Sequence, residues 1–139
     1  MRLRVATGAD ADAILALDRV VAPDGARAGC VREEIEARAC HVALVDERVV
    51  AYAVLNYRFY GNGWIEMLRV DPRFRRRGIG ASLVRHLVGV CRTPKLFTST
   101  NRSNAPMRRL LEALGFVPSG TIDNLDEGDP ERVYFRRLR

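Results

Sequence analysis

The segment Arg75–Gly80, which reads Arg-Arg-Arg-Gly-Ile-Gly, has the residue types best suited to holding a phosphate group. Glycine lets backbone N–H groups approach a ligand without an intervening Cβ atom. Apolar residues then recur at helical spacing from Ile79 to about residue 92, and the N-terminus of such a helix adds the positive end of its dipole. The segment therefore predicts a diphosphate-binding loop.

Positive charge is concentrated at the same place. Residues 69–92 contain seven Arg and one acidic residue, Asp71, and this balance of +6 equals the net charge of the whole chain. Because a nucleic-acid surface usually spreads its basic charge more widely, nucleic acid is not expected to be the main partner.

Two common nucleotide motifs do not match this loop. A P-loop needs Lys followed by Ser or Thr after its last glycine, whereas Ala81 and Ser82 follow Gly80. A dinucleotide-binding fingerprint needs a third glycine at the position that Leu83 occupies. A different diphosphate ligand is therefore expected.

The pattern Arg75-x-x-Gly78-x-Gly80 resembles the acetyl-CoA-binding loop of the GNAT superfamily of N-acetyltransferases. A second segment, Asn104 to Phe116, resembles that family's other cofactor segment, and the likeness in element order covers essentially the whole chain. The resemblance implies acetyl-CoA as co-substrate and no metal. The cofactor-binding residues that it implies are Leu68, Arg69, Val70, Arg75, Arg76, Arg77, Gly78, Ile79, Gly80, Ala81, Ser82 and Asn104.

The same resemblance implies a position for each part of the cofactor. The N–H groups of residues 77–82 would hold the diphosphate. The pantetheine arm would bond to the backbone of residues 68–70, in a cleft where strand 64–70 splays from strand 96–100. Asn104 would reach this arm, although a plain helix N-cap would equally explain an Asn at that position.

Acetyl transfer requires a neutral amine, a polarised thioester carbonyl and a thiolate that can leave. The resemblance implies that the N–H near Leu68 polarises the carbonyl. Glu66 is the nearest carboxylate on the central strand, and it is either a base acting through water or a partner for an Arg. Leu111 stands where the family often has a Tyr acid, so that role falls to Tyr134, Ser99 or water, or the thiolate leaves unaided.

The acceptor is expected to be a primary amine of a small molecule or peptide. Ser99 stands where some relatives that modify protein N-termini carry Glu, which disfavours that substrate class. Four aromatic residues in the region of the third and fourth predicted strands either belong to the core or line the acceptor pocket: Tyr52, Tyr57, Phe59 and Tyr60. The acidic turn at residues 123–131 is either a solvated loop or an attractant for cationic amines. His41 and His86 are expected to be structural.

Patterns along the chain predict the elements that position these residues. Helices are expected over about 8–20, 30–38, 79–92 and from residue 104, with a loop over 22–29. Strands are expected at 2–6, in a hairpin over 41–59, and at 64–70, 96–100, 117–122 and 132–138. The fold class is therefore mixed α/β or α+β. The resemblance implies a GNAT-type, mostly antiparallel sheet of six to seven strands with about four helices.

Length and composition suit one domain spanning residues 1–139, with no apolar run long enough for a membrane span. Three cysteines without metal-ligand spacing and the lack of a signal-peptide pattern favour a cytoplasmic location. Dimers are common in the family, and an exposed final strand near Val133 to Leu138 could pair with a second copy.

The sequence thus predicts an acetyl-CoA-dependent N-acetyltransferase. Because Leu111 replaces the usual Tyr, the first alternative is a non-catalytic acyl-CoA-binding module. The basic loop leaves a nucleic-acid-binding domain as the second alternative.

Overall fold

The computed structural model describes residues 1–21 and 28–139. These residues form seven strands: β1 Arg2–Val5, β2 Cys40–Val45, β3 Arg48–Phe59, β4 Asn62–Val70, β5 Lys95–Asn101, β6 Val117–Ile122 and β7 Glu131–Arg137. They also form four α-helices: α1 Ala11–Val21, α2 Ala28–Glu36, α3 Ile79–Val90 and α4 Ala105–Ala113. Short 3-10 turns lie at Gly8–Asp10 and Pro72–Phe74. The predicted order of elements is confirmed, and most of the predicted loop over 22–29 lies outside the described residues.

The described strands form one mixed sheet in the order β1-β2-β3-β4-β5-β7-β6. Strands β4 and β5 are parallel, and their register runs from Gly63 opposite Leu96 to Ile65 opposite Thr98. The pairs β1-β2, β2-β3, β5-β7 and β6-β7 are antiparallel. The predicted mostly antiparallel sheet of six to seven strands is confirmed.

The prediction of an exposed final strand is wrong. Strand β7 is hydrogen-bonded to β5 on one side and to β6 on the other, so β6 forms this edge of the sheet. The chain reverses at the acidic turn and inserts its last strand between two earlier ones. A pattern of apolar residues identifies a strand but does not determine its neighbours.

By its internal contacts the chain divides into two compact units, residues 1–55 with 67–87 and residues 56–66 with 88–139. In the first unit, α1 contributes Ile14 and Leu17 to an apolar core, and α2 contributes Val31 and Ile35. These side chains are at most 8% exposed. Their spacing of three or four residues puts them on one helical face, and burial of that face is what holds each helix to the strands.

A buried polar cluster lies within the first unit. The Tyr52 hydroxyl donates to Asp18 Oδ1 at 2.5 Å, and Arg69 Nε lies 3.1 Å from the same oxygen. Asp18 is 2% and Tyr52 0% exposed. Because burial and the bond to Asp18 both disfavour the phenolate, the pKa of Tyr52 is raised. Tyr52 is therefore a core residue of this unit, one of the two alternatives for the strand aromatics.

The sequence Gly61-Asn62-Gly63 is typical of a turn, but the turn lies one residue earlier. Tyr60 and Gly61 have φ angles of 56° and 77°, which identifies a tight two-residue hairpin turn, while Asn62 and Gly63 already belong to β4. Gly63 is needed for packing, because a Cβ atom there would lie 2.5 Å from Cys91 Sγ. Gly63 therefore looked like a turn residue in the sequence, but its role is to allow close packing against Cys91.

Candidate cofactor site and catalytic residues

The loop between β4 and α3 is fastened at its start by Asp71. This carboxylate is buried and accepts from the Arg73 backbone N–H at 2.9 Å and from its guanidinium Nη2 at 2.7 Å. The hydrogen bonds from Arg73 lower the pKa of Asp71. The Asp71 N–H donates to Val50 O at 2.8 Å, which joins the loop to β3. Pro72 then begins a 3-10 turn that ends at Phe74.

The backbone of the Arg/Gly segment presents free donors. Arg76 and Gly78 have φ angles of 64° and 74°, and the first helical bond of α3 runs from the Ser82 N–H to Gly78 O at 3.0 Å. The N–H groups of residues 79–81 therefore have no acceptor within the helix. A Cβ atom at Gly78 would meet nothing within 4 Å, so the space beside this glycine is open.

Three consecutive arginines directly precede these donors in the sequence. Arg75, Arg76 and Arg77 are all exposed, and the Arg77 guanidinium lies 4.9 Å from the centroid of the Phe74 ring. The stacking on Phe74 restrains Arg77 close to the N-terminus of α3. Fixed backbone donors, a helix dipole and three like charges favour a multiply charged anion. The residues present therefore fit the diphosphate of coenzyme A.

Residues Leu68, Arg69 and Val70 form the end of β4 before this loop, and all three are partly buried. The Arg69 guanidinium contacts Asp18 as described above, and its Nε also lies 3.0 Å from Met67 Sδ. The Nε of Arg69 is therefore engaged within the first unit, where its charge is paired with the buried carboxylate of Asp18.

In the second unit, Asn104 is the N-cap of α4. Its Oδ1 accepts from the Met107 N–H at 3.2 Å, and Pro106 lies in the first turn. The side chain is exposed, and its amide N–H₂ remains available as a donor. The cap is thus observed, and the ligand role stays a prediction.

Glu66 lies in β4 within a small polar cluster of the second unit. Its Oε1 accepts from Asn56 Nδ2 at 3.3 Å and lies 3.8 Å from an Arg58 guanidinium nitrogen. The Glu66 side chain is 25% exposed. Glu66 therefore has an Arg neighbour, as a partner for an Arg requires, and it also contacts solvent, as a base acting through water requires.

The two candidate acids differ in exposure. The Ser99 hydroxyl is partly exposed and donates to Glu131 Oε2 at 2.7 Å. The Tyr134 side chain is 0% exposed, and its hydroxyl donates to Glu112 at 3.4 Å. Contact between Tyr134 and a departing thiolate would require its neighbours to move.

A model of the acetyltransferase (GNAT) family matches residues 14–116 of this sequence. The chain belongs to the GNAT family of acetyltransferases. An alignment of 87 residues in length, which covers 56% of this chain, shows 33% identity to N-alpha-acetyltransferase 30 of Xenopus laevis and of Homo sapiens. These residues cover 31% and 24% of those proteins, so the chain spans less than a third of the curated relatives that it matches.

Solved structures share the fold across nearly the whole chain. A GNAT-family acetyltransferase from Bacillus cereus ATCC 10987 superposes with a TM-score of 0.94 at 30% identity, covering 98% of this chain and 96% of that one. The structure of yncA from Salmonella typhimurium with its cofactor acetyl-CoA has a TM-score of 0.82 at 18% identity, covering 99% and 94%. At 18% identity the likeness concerns the fold alone.

The position where the GNAT family often has Tyr is closed in this chain. Leu111 is 0% exposed, and Phe116, at the end of the second cofactor segment, is 1% exposed. The Phe116 N–H donates to Leu111 O at 3.0 Å, which ends α4 together with Gly115 at a φ of 88°. Leu111 therefore packs in the core of its unit.

The two histidines contact each other in the first unit of this GNAT chain. His41 Nδ1 lies 3.0 Å from His86 Nε2, which joins β2 to α3. Burial lowers the pKa of His41 to about 4 and also lowers that of His86. A largely buried pair that stays uncharged near neutral pH fits the expected structural role.

The acidic turn is attached to the end of β5. Asp129 accepts from the Ser103 hydroxyl at 2.6 Å and from its N–H at 3.1 Å, and Asp126 accepts from Asn101 at 2.8 Å. Ser103 lowers the pKa of Asp129 through these bonds. The turn is therefore held by specific contacts, although its residues through Gly128 are exposed.

Two features of the site were not predicted. The loop is organised by the Phe74 ring and by the hydrogen bonds that Arg73 donates to the Asp71 carboxylate. The dipeptide Asp71-Pro72 carried a recognisable turn signal. The contact between Asp18 and Arg69 joins residues 51 positions apart in the sequence, and no local pattern indicates it. Among the residues that the structure describes, no helix has the length and apolar character needed to cross a membrane.

Proposed function

We propose that this GNAT chain is an acetyl-CoA-dependent N-acetyltransferase, a single domain that transfers acetyl to a primary amine of a peptide or small molecule. The observation that carries the proposal is the start of α3. Three backbone donors there lie beside Gly78 and next to three exposed arginines. The acetyl-CoA complex of yncA, a protein with the same fold, supports acetyl-CoA as the ligand.

Acetyl-CoA would supply the activated acetyl group as a thioester. In this proposal the N–H groups of residues 79–81 and the arginines 75–77 bind its diphosphate. The backbone of residues 68–70 binds the pantetheine arm, and the Leu68 N–H polarises the thioester carbonyl. Asn104 offers its amide as a further donor.

The remaining steps are proton transfers. Glu66 takes a proton from the acceptor amine through water, a role that its partial exposure permits. Ser99 is better placed than Tyr134 to assist the departing thiolate, because Ser99 has exposed surface. A thiol with an ordinary pKa of about 8.5 is also a fair leaving group without assistance.

The acceptor class can be tested directly. The relatives named N-alpha-acetyltransferase favour a protein or peptide N-terminus, whereas Ser99 at the position of a family Glu disfavours it. Thiol release from acetyl-CoA should be followed with a free N-terminal peptide, with the same peptide blocked at its N-terminus and carrying a Lys, and with polyamines and aminoglycosides. Amine-dependent thiol release with one class identifies the acceptor.

A non-catalytic acyl-CoA-binding module is the second candidate, and the buried Leu111 is the observation that favours it. Coenzyme A would then raise the melting temperature, but no amine in the panel would release thiol. Steeply salt-dependent binding of a short duplex, without any rise in melting temperature on adding coenzyme A, would instead favour the nucleic-acid alternative.

The free thiols of Cys40 and Cys91 support the cytoplasm as the location, because disulfides are rare there.

A further inference from the structure

Four aromatic rings form a row on one side of the sheet in the second unit, here called the aromatic face. Trp64 is opposite Phe97 in the register of β4 and β5, and Phe97 is opposite Phe135 in that of β5 and β7. Residues opposite each other point to the same side of a sheet, so these three rings share one side. Phe59 joins them, with its ring centroid 4.5 Å from that of Trp64 and 4.9 Å from that of Phe97.

Polar groups lie on the same side, one step further along the strands. Glu66 follows Trp64 by two residues and Ser99 follows Phe97 by two, and alternate residues of a strand share a side of the sheet. Glu131 lies on this side too, because its Oε2 accepts from Ser99 Oγ at 2.7 Å. The row of rings therefore ends beside two carboxylates, and one of them belongs to the candidate base.

The aromatic face is accessible to a ligand. All four rings are partly exposed, and so are Ser99 and Glu131. Tyr134 precedes Phe135 and points to the opposite side of β7, where its hydroxyl contacts Glu112 of α4. Helix α4 therefore packs on the reverse side of these strands.

Charge is divided along the aromatic face. At the polar end, Glu66 has an Arg58 guanidinium nitrogen at 3.8 Å, whereas Glu131 has no ion pair among the residues that the structure describes. At the other end Lys95 is opposite Arg137, and each is two residues from the phenylalanine of its strand. A cation is therefore attracted to the end with Glu131 and repelled from the other end.

We propose that the aromatic face binds the acceptor of the acetyl transfer and that this acceptor is an arylalkylamine, a small primary amine that carries an aromatic ring. Its ammonium group pairs with Glu131, and its ring packs on Phe97 and Phe135. Alternate residues of a strand are about 7 Å apart, a distance that a linker of about two or three carbon atoms between amine and ring matches. The inference rests on the proposed acetyl transfer and names the class of its acceptor.

A small amine suits this surface better than a peptide does. Phenylalanine rings offer no hydrogen-bond partner to the N–H and C=O groups of a peptide backbone, and burying such groups without partners is unfavourable. The methylene linker of an arylalkylamine has no polar atoms to bury. Ser99 also stands where some relatives that modify protein N-termini carry Glu.

Binding can be measured without turnover, because Trp64 is the only tryptophan of the chain. Its fluorescence should change when 2-phenylethylamine is added to the protein with coenzyme A present. Butylamine lacks the ring and 2-phenylethanol lacks the charge, so each should compete about tenfold more weakly than 2-phenylethylamine binds. Unchanged fluorescence, or equal affinity for the three compounds, would overturn the proposal.

Three variants test the residues named. Phe97→Leu should weaken 2-phenylethylamine binding about tenfold and leave that of butylamine unchanged, whereas a general disturbance of the fold would weaken both. Glu131→Gln keeps an acceptor for Ser99 Oγ but removes the charge, so it should weaken both amines about tenfold. Glu47→Gln is the matched control, because it removes one charge from an exposed side chain of the first unit. If Phe97→Leu keeps the preference for the ring, or Glu131→Gln binds like Glu47→Gln, the aromatic face is not the binding site.

Thiol release separates this proposal from acetyl transfer itself. With acetyl-CoA, 2-phenylethylamine should give a higher kcat/KM than spermidine or a peptide with a free N-terminal Phe. Faster release with spermidine or the peptide would reject the arylalkylamine and keep acetyl transfer. Binding of 2-phenylethylamine without thiol release from any amine would reject acetyl transfer and keep the aromatic face as an amine-binding site.

Discussion

At the scale of single residues, the cofactor prediction depends most on Gly78. Its φ angle of 74° and the open space beside it are matched by Gly128 in the acidic turn, at a φ of 75° and also with nothing within 4 Å. Replacing either glycine with Asp introduces a similar backbone strain of about 1 kcal/mol. The two positions differ only in their surroundings, so they form a matched pair.

We expect Gly78→Asp to abolish the rise in melting temperature that coenzyme A produces, because it places a Cβ atom and a negative charge where the diphosphate would bind. Gly128→Asp should lose a similar amount of stability and keep the rise. Differential scanning fluorimetry with and without coenzyme A measures both effects. An undiminished rise in the Gly78 variant would show that the cofactor binds elsewhere.

Glu66 offers a second test at this scale. If Glu66 is the base, Glu66→Gln should lower kcat/KM by about 10² to 10⁴. Arg58→Gln removes the neighbouring charge while keeping the carboxylate, and it should leave kcat/KM close to that of the wild type. Equal small losses in both variants would mean that Glu66 serves only as a polar partner within β4.

At the scale of elements, helix α4 can be separated into its cap and its ligand contact. Asn104→Ala removes the cap and should cost about 1 kcal/mol of stability, whereas Asn104→Asp keeps an oxygen for the Met107 N–H. Asp lacks the amide donor, so both variants should weaken coenzyme A binding if Asn104 contacts the ligand. Thermal unfolding and coenzyme A titration of both variants measure the two roles independently.

If Asn104→Asp binds coenzyme A as well as the wild type does, Asn104 is only a helix cap. The role of Asn104 as a helix cap can be predicted from the neighbouring sequence alone. A contact with the ligand would also depend on residues far away in the chain, so the local sequence cannot predict it.

At the scale of the whole molecule, local signals predicted the elements well and their arrangement poorly. Apolar periodicity located helices and strands to within two or three residues. The insertion of β7 between β5 and β6 was missed, because strand order results from tertiary packing. Long-range contacts such as that between Asp18 and Arg69 were missed for the same reason.

The dependence of stability on pH combines two sets of groups in the first unit. The folded pKa of His41 is about 4, below its ordinary value of 6.5, so the unfolded chain binds a proton first as the pH falls. His41 therefore contributes stability that is complete above pH 6.5 and is lost as the pH falls toward 4. A shift of this size corresponds to about 3 kcal/mol.

A second loss of stability follows at lower pH. The pKa of Asp10 is lowered by its hydrogen bond from Arg4, and that of Asp71 by its hydrogen bonds from Arg73. The stability that these two carboxylates contribute is present above their ordinary pKa of 3.8 and is lost as the pH falls through their lower folded values. The two losses therefore occupy different pH ranges.

Urea unfolding between pH 7.5 and 3 should show both losses in the wild type. In the His41→Gln variant, the free energy of unfolding should change less between pH 6.5 and 4 than in the wild type, and its change below pH 4 should be the same. The variant should also be less stable at pH 7.5, because the substitution disturbs the contact with His86. Asp10→Asn should reduce the dependence of the free energy of unfolding on pH only below pH 4. If His41→Gln keeps the full slope between pH 6.5 and 4, another group must gain the proton on unfolding, and His86 is the next to replace because its pKa is also lowered by burial.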